Sequence, residues 1–207
     1  MYCIFCDKST RFESFGVPVR SQAKCSECGS LERHRLVWSW LLKFELEFIK
    51  QSRLIHIAPE ACLKAVLSRI AKEYFAPEWD LRKIPFPDAS VNMILHNHVM
   101  EHILEDEVAF REQARILTPG GTLFLTVPFG GERTRESTTG REGPKVRRKQ
   151  FGQHDHWRVY GLLDIVDRIK KCGFTEVAVI DATAQLPESD VARTSLDRYL
   201  VRAEIGS

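Results

Sequence analysis

The sequence lacks both a long apolar stretch and a strong excess of charge of either sign. Its longest uninterrupted apolar run is far shorter than the roughly 18 residues of a membrane helix, so no membrane partner is expected. With 30 basic and 28 acidic residues the net charge is +2, which makes nucleic acid an unexpected partner as well. No basic region followed by an apolar one opens the sequence. We therefore expect no signal peptide and a reducing, cytoplasmic location.

The 207 residues suffice for one sizeable core and a small appendage. The clearest structural signal is in the middle of the chain. Val91–Leu95 is an apolar run of strand length, and a polar bend at 96–98 leads into a helical pattern ending near Leu117. Pro119-Gly120-Gly121 predicts the end of that helix, and Thr122–Val127 predicts a second strand. A strand, a helix and a strand with short connections are typical of a parallel sheet.

Four of the six cysteines form two C-x-x-C pairs with 18 residues between them: Cys3, Cys6, Cys25 and Cys28. Paired C-x-x-C motifs at this separation favour a tetrahedral zinc site, and the intervening FESFGVPVR favours a hairpin that brings them together. Four thiolates leave no open position for water, so the zinc would be structural. Two disulfides, or four unrelated thiols, are the alternatives. Cys62 and Cys172 fall on helical patterns and are expected to be buried.

The segment after the second cysteine pair predicts an amphipathic helix with Ser30 as its N-cap. Its first turn carries Arg33, His34 and Arg35, which either contact an anion or substrate or form a solvated helix face. Further elements are then predicted in chain order: a strand over Arg53–Ile57, a helix over Ala61–Ala71 and a strand over Glu73–Phe75.

The last third begins with Gly130–Lys149, a charged stretch without periodicity that predicts a mobile surface loop. In FGQHDHWRVYG, rings and titratable groups cluster, which favours the substrate side of a cleft. His156 is a candidate general base, which Asp155 could orient. A helix over Leu162–Cys172 follows. Phe174–Ile180 and Asp197–Ala203, separated by a loop over Ala182–Ser195, predict an antiparallel edge hairpin.

Three sets of residues resemble the motifs of one known family. The central set is Pro85, Phe86, Pro87, Asp88, Ser90, Glu101, His102, Arg115, Leu117, Pro119, Gly120 and Gly121. The amino-terminal set is the cysteine pairs with Arg33, His34, Arg35 and Leu36, and the late set is Phe151, Gly152, Gln153, Asp155, His156, Arg158 and Tyr160. Together they resemble the methyltransferase type 11-like group of class I S-adenosylmethionine-dependent methyltransferases.

The resemblance implies an α/β, Rossmann-like fold with a mainly parallel sheet, an antiparallel edge hairpin and a small zinc module. We expect the module at residues 1–30 and the methyltransferase-like domain at 31–207. S-adenosylmethionine would lie across the carboxyl ends of the central strands. The implied cofactor-binding residues are His56, Ala58, Pro59, Glu60, Glu78, Asp80, Leu81, Asn97, His98 and His102.

The chain departs from the family pattern at three places. Ala58-Pro59-Glu60 stands where members usually have a glycine-rich turn. Only 23 residues separate Glu60 from Ile84, which predicts a shortened sheet edge. Asn92 replaces the usual aspartate. The expected function is methylation of a small-molecule or saccharide-type substrate. The alternatives are an inactive, methyltransferase-like protein-interaction module and a ribosomal RNA methyltransferase.

Overall fold

The computed structural model describes residues 1–186 and 198–206 of the chain. The described strands are β1 (Tyr2–Cys3), β2 (Lys8–Ser9), β3 (Phe12–Phe15), β4 (Arg20–Cys25), β5 (Arg53–Ile57), β6 (Glu73–Phe75), β7 (Val91–Asn97), β8 (Leu117–Thr126), β9 (Arg135–Glu136), β10 (Arg158–Val159), β11 (Glu176–Asp181) and β12 (Tyr199–Glu204). The α-helices are α1 (Glu32–Phe44), α2 (Leu46–Gln51), α3 (Ala61–Ile70), α4 (Asp106–Ile116), α5 (Pro144–Phe151) and α6 (Ile165–Lys170), with 3₁₀ turns at Met100–His102 and Ala182–Ala184.

A six-stranded sheet in the order β11-β12-β8-β7-β5-β6 forms the centre of the molecule. β6, β5, β7 and β8 run parallel, whereas β12 and β11 pair antiparallel at the other edge. The predicted fold class and its edge hairpin are therefore confirmed. The loop predicted over Ala182–Ser195 and the start of the last strand at Asp197 lie partly outside the described residues.

Alternate residues of the central strands face two separate apolar layers. Ile94 of β7 packs with Phe110 in one layer, while Met93 and Leu95 pack with Leu41 in the other. This alternation is the period of two that a strand buried on both faces imposes. α1 therefore covers one face of the sheet and α4 the other.

The shortened sheet edge expected from the sequence is present in the structure. Between α3 and β7 the sheet gains a single strand, the three-residue β6, and residues 76–90 contain no further strand. The loop after β6 consequently runs directly across the carboxyl ends of β5 and β7. This loop supplies one wall of the site described below.

The amino-terminal segment folds as two small hairpins, β1 with β2 and β3 with β4, the second of which was predicted. Arg35 fastens this segment to α1, because its guanidinium donates to the carbonyl oxygens of Ser30 (2.6 Å) and Ala23 (3.1 Å). The first turn of α1 is thus not a solvated face. The residue 30 boundary between the two predicted domains stays a prediction.

Three local predictions were wrong in detail. Pro119-Gly120-Gly121 lies inside β8, because Gly120 N donates to Ile205 O and Ile205 N donates to Gly121 O, both at 3.0 Å. The N-cap of α1 is Leu31 instead of Ser30. The predicted loop Gly130–Lys149 contains β9 and the first part of α5. That helix starts with Pro144 at its first turn and ends at Gly152 with φ +90°, the usual start and stop signals.

No helix in the described parts of the chain is long and apolar enough to cross a membrane.

Candidate functional site

A cavity of 1220 Å³ opens at the carboxyl ends of β5 and β7. In open α/β sheets, ligands bind outside the carboxyl ends of the parallel strands, at the point where the strand order reverses. Three segments form its walls: the turn after β5, the loop after β6 and the bend after β7. The lining residues are Ile57, Ala58, Pro59, Ala61, Lys64, Pro77, Glu78, Trp79, Asp80, Leu81, Arg82, His98, Val99, His102, Ile103, Leu104, Glu105 and Trp157.

Seven of the predicted cofactor-binding residues line this one cavity: Ala58, Pro59, Glu78, Asp80, Leu81, His98 and His102. The other three, His56, Glu60 and Asn97, lie outside its lining. Residues separated by more than 40 positions in the sequence are thus brought to one place by the sheet topology. The sequence reasoning missed Trp79 and Trp157, although both stand beside acidic or histidine residues in the two segments that it singled out.

Two residues other than glycine adopt the left-handed backbone conformation at the strand ends. Ala58 at the end of β5 has φ +47°, and His98 at the end of β7 has φ +52°. The left-handed region costs an L-residue roughly 1–2 kcal/mol relative to glycine. Both residues border the cavity, and at each of them glycine would adopt the same conformation without this cost.

The side chain of Glu60 lies behind the turn and joins three elements. Its Oε1 is 3.6 Å from His34 Nε2 of α1, and its Oε2 is 3.5 Å from His56 Nε2 of β5. Asn97 Nδ2 at the end of β7 donates to Oε2 over 3.3 Å. Burial by itself would raise the pKa of Glu60, but His56 and His34 outweigh it and lower that pKa. The carboxylate is therefore ionised and holds the strand ends together.

His34 is neutral near pH 7. Burial lowers its pKa to about 4, although the charge of Glu60 acts in the opposite direction. The backbone N–H of Leu31 donates to its Nδ1 over 3.3 Å, so the proton of the neutral ring is on Nε2, facing Glu60. The sequence motif R-H-R thus places its histidine against the turn of the cavity.

The loop after β6 brings two acidic residues to the cavity. Glu78 follows the short strand by three residues, and its exposed side chain lines the wall. Asp80 accepts from Arg82 Nη2 over 2.8 Å, and this hydrogen bonding lowers the pKa of Asp80 to about 2. Between the two acids, Trp79 packs on Phe86 with ring centroids 5.4 Å apart.

The predicted pair of His156 and Asp155 is arranged differently from the expectation. Asp155 Oδ2 lies 3.2 Å from His102 Nδ1, so it orients His102 and not His156. His156 is 3% exposed and does not line the cavity; its ring meets that of His102 edge to face at 4.7 Å. Burial lowers the pKa of His156 below its ordinary value.

The four cysteines of the two C-x-x-C pairs lie together in the amino-terminal segment. The sulfur atoms of Cys3 and Cys28 are 3.6 Å apart, and those of Cys6 and Cys25 are 3.9 Å apart. A tetrahedron with zinc–sulfur bonds of about 2.3 Å has sulfur–sulfur edges of about 3.8 Å. All six cysteines are free thiols, so the structure does not contain the disulfides of the alternative prediction. The donor set therefore fits zinc. Cys62 and Cys172 are buried, as expected.

Residues 46–125 match the family described as methyltransferase domain. No curated protein sequence matches the chain. Among solved structures, a chain of the complex between the Haloferax volcanii Trm112 methyltransferase activator and a putative methyltransferase superposes with a TM-score of 0.55 at 13% identity, covering 84% of this chain and 91% of that one.

Two other solved structures have the same fold. An S-adenosylmethionine-dependent methyltransferase from Mesorhizobium loti has a TM-score of 0.52 at 16% identity, covering 82% of this chain and 97% of that one. A phosphoethanolamine N-methyltransferase from Haemonchus contortus, solved with S-adenosylhomocysteine, has a TM-score of 0.51 at 16% identity. The match covers 82% of this chain and 53% of the Haemonchus enzyme.

The matched domain contains β5, β6 and β7, whose carboxyl ends border the cavity. Residues 46–125 thus match a methyltransferase domain, and the chain has the fold of these solved methyltransferase structures, with a cysteine-rich amino-terminal segment in addition.

Proposed function

We propose that the cavity binds S-adenosylmethionine and that the protein methylates a small molecule, saccharide-type acceptors included. The observation that carries this proposal is the convergence of Ala58, Glu78 and His98 on one cavity at the carboxyl ends of β5, β6 and β7. Each residue comes from one of the three segments in which the family binds its cofactor.

The polar groups of the cavity are suited to the parts of this cofactor. Glu78 offers carboxylate oxygens that could accept hydrogen bonds from the two ribose hydroxyls, and Asp80 with Leu81 would border the adenine. The turn at Ala58 and Pro59 would face the methionine end. The backbone at Asn97 and His98 would border the sulfonium, which supplies the methyl group to be transferred.

Catalysis by this chain would consist mainly of holding the two reactants in line. Alignment of reacting atoms supplies about 7–11 kcal/mol in favourable cases, so methyl transfer needs no obligatory acid or base from the protein. The fixed strand ends, joined through Glu60 and Asn97, are the rigid frame that such alignment requires. Trp157 and His102 line the same cavity and would contact the acceptor.

Size and charge support a small acceptor. The cavity volume of 1220 Å³ exceeds the roughly 300–1000 Å³ of typical ligand pockets, which leaves room for an acceptor beside the cofactor. Its lining contains two cationic side chains, Lys64 and Arg82, and Arg82 is already paired with Asp80 and Glu105 at 2.8 and 2.9 Å. A nucleic-acid acceptor would call for unpaired positive charge around the opening.

We also propose that the four clustered cysteines bind one structural zinc ion. The sulfur separations support it, and a closed four-thiolate site would stabilise a segment whose strands are two to six residues long. The zinc would then fix the position of α1, which carries His34 to the cavity turn.

Calorimetric titration with S-adenosylhomocysteine tests the cofactor assignment. We expect one binding site in the wild type. Substitution Glu78→Ala removes charged hydrogen bonds worth about 1.5–3 kcal/mol, so affinity should fall about 10- to 150-fold. Glu47→Gln, on an exposed side chain of α2, is the matched control and should leave affinity unchanged. No heat from the wild type at millimolar ligand would overturn the proposal.

A further inference from the structure

A second group of metal-ligating side chains lies beside the cavity, in the segments 101–102 and 155–156. One ligand atom each from Glu101, His102 and His156 lies within 4.8 Å of the others. Their proximity is fixed by the fold, because Trp157 N donates to Glu101 O over 2.8 Å and thereby pins the late segment to the 3₁₀ turn after β7. None of these residues belongs to the cysteine cluster.

Two atoms of this group are buried without a hydrogen-bond partner. Glu101 is fully buried and its Oε2 has none, although its Oε1 accepts from His98 Nδ1 over 3.1 Å. His156 is 3% exposed and its Nε2 has none. A buried polar atom left unpaired costs roughly 1–3 kcal/mol, so two of them at one place indicate a missing partner.

Hydrogen bonds on the far side of each ring determine which nitrogen can bind that partner. His156 Nδ1 lies 3.1 Å from the carbonyl oxygen of Phe151, which can only accept, so the proton is on Nδ1. His102 Nδ1 is held in the same way by the carboxylate of Asp155 at 3.2 Å. Both rings are therefore left with a lone pair on Nε2, and Glu101 presents a carboxylate oxygen. Such outer hydrogen bonds are typical of histidines that bind metals.

We propose that Glu101, His102 and His156 bind one divalent first-row transition metal ion. Two imidazole nitrogens and one carboxylate oxygen are ligands that suit zinc, iron, cobalt and nickel. Tetrahedral ligands about 2.1 Å from one ion are about 3.4 Å apart, so ligand atoms up to 4.8 Å apart must approach each other by as much as about 1.4 Å on binding. Three protein ligands leave further coordination positions for water or a substrate oxygen, unlike the closed cysteine cluster. This site does not depend on the proposed cofactor.

Zinc counting on the full chain tests the proposal. Zinc binds such sites more tightly than manganese or iron, so it is a suitable probe. Each protein is loaded with excess zinc, desalted and analysed for zinc per chain. We expect His102→Asn and Glu101→Gln each to hold one equivalent fewer than the wild type. His154→Ala removes a nearby histidine with a 59% exposed side chain, and should hold as much zinc as the wild type.

The difference between variants is the readout, so occupancy of the cysteine cluster does not affect it. His102 is 35% exposed at its side chain, and its variant should unfold at the wild-type temperature in the absence of added metal. Equal zinc content in the wild type, His102→Asn and Glu101→Gln would overturn the proposal. An equal loss in His154→Ala would also overturn it, because it would show non-specific surface binding.

Discussion

His34 Nε2 lies 3.6 Å from Glu60 Oε1, and this contact connects the helix after the cysteine cluster to the turn that lines the cavity. Glu60 also accepts a hydrogen bond from Asn97 of β7 and lies beside His56 of β5. A single half-buried carboxylate thus ties the amino-terminal segment to both strand ends. A substitution of Glu60 should therefore lower both the free energy of unfolding and the affinity for the cofactor.

Glu60→Gln tests this connection. The amide keeps the size of the side chain but loses the charge that lies close to His34 and His56. Buried hydrogen bonds to charged groups contribute about 1.5–3 kcal/mol, and we expect the free energy of unfolding to fall by that amount. Urea denaturation followed by circular dichroism measures it. Glu47→Gln, with a 76% exposed side chain, should change it by less than about 0.5 kcal/mol. A similar result for both variants would contradict the connection.

Two buried histidines predict that stability falls in mild acid. Burial lowers the pKa of both His34 and His96 from 6.5 to about 4. Below pH 6.5 the unfolded chain therefore binds protons that the folded chain does not, and the free energy of unfolding decreases as the pH falls. The loss continues until the folded-state pKa is reached. Between pH 6.5 and 5 it should be at most about 2 kcal/mol for each histidine.

His96→Gln isolates one of these contributions. His96 is fully buried and its Nε2 is 3.0 Å from Gln113 Oε1. The variant lacks the titrating ring, so its free energy of unfolding should fall less between pH 7 and pH 5 than that of the wild type. Denaturation curves at the two pH values give the comparison. An unchanged pH dependence would show that His96 does not titrate in this range.

Much of the fold follows from local patterns in the sequence. β5, β6 and β7 are apolar runs between turn residues, and their predicted positions agree with the structure to within two residues. Pro119-Gly120-Gly121 failed as a helix-to-strand loop because its pairing with Ile205 is a long-range contact that no local pattern contains. α5 was missed for another reason. Its sequence, PKVRRKQF, has little apolar periodicity, and only the flanking proline and glycine mark it.

The site was predictable as a set of segments and less so as a set of contacts. Family motifs indicated the turn at Ala58, the bend at His98 and the loop with Glu78, all of which line the cavity. The partner of Asp155 could not be read from its neighbour in sequence, since the sheet topology brings His102 to it from more than 50 residues away. Burial, which decides the state of His156, is likewise a property of the assembled fold.

Removal of zinc should destabilise the amino-terminal segment. Cys6→Ser deletes one of the four proposed ligands, and we expect one zinc equivalent to be lost and the thermal unfolding temperature to decrease. The binding free energy of a structural zinc ion adds to the free energy of unfolding and is large. The unfolding temperature should therefore decrease by more than 5 °C, which corresponds to a loss of roughly 1–2 kcal/mol or more in the free energy of unfolding. Cys172→Ala, a buried cysteine outside the cluster, is the matched control and should keep its zinc. Retention of zinc in Cys6→Ser would exclude the four-cysteine site.

The R-x-Y part of the late motif has a structural role that a mutation can measure. Tyr160 is fully buried, and its hydroxyl donates to Asp106 Oδ2 over 2.6 Å. The same carboxylate accepts from Arg168 at 2.9 and 2.7 Å and lies 3.4 Å from Arg158. Burial raises the pKa of Tyr160 well above its ordinary value, so the phenol stays protonated and remains a donor.

Tyr160→Phe should therefore destabilise the protein by about 1.5–3 kcal/mol, because a hydrogen bond to a buried carboxylate is lost while the ring packing stays. The half-exposed Tyr2, whose hydroxyl donates to Asp7, provides the control; Tyr2→Phe should cost less than about 0.5 kcal/mol. Urea denaturation of both variants supplies the values.

Since Arg158 also donates to the carbonyl oxygens of Met100 and Ile103, the network places residues 155–157 beside Glu101. The zinc content of Tyr160→Phe is measured under conditions where the variant is folded. If the variant loses the zinc of the proposed second site, Tyr160 also positions the metal ligands. If its zinc content equals that of the wild type, Tyr160 contributes to stability alone.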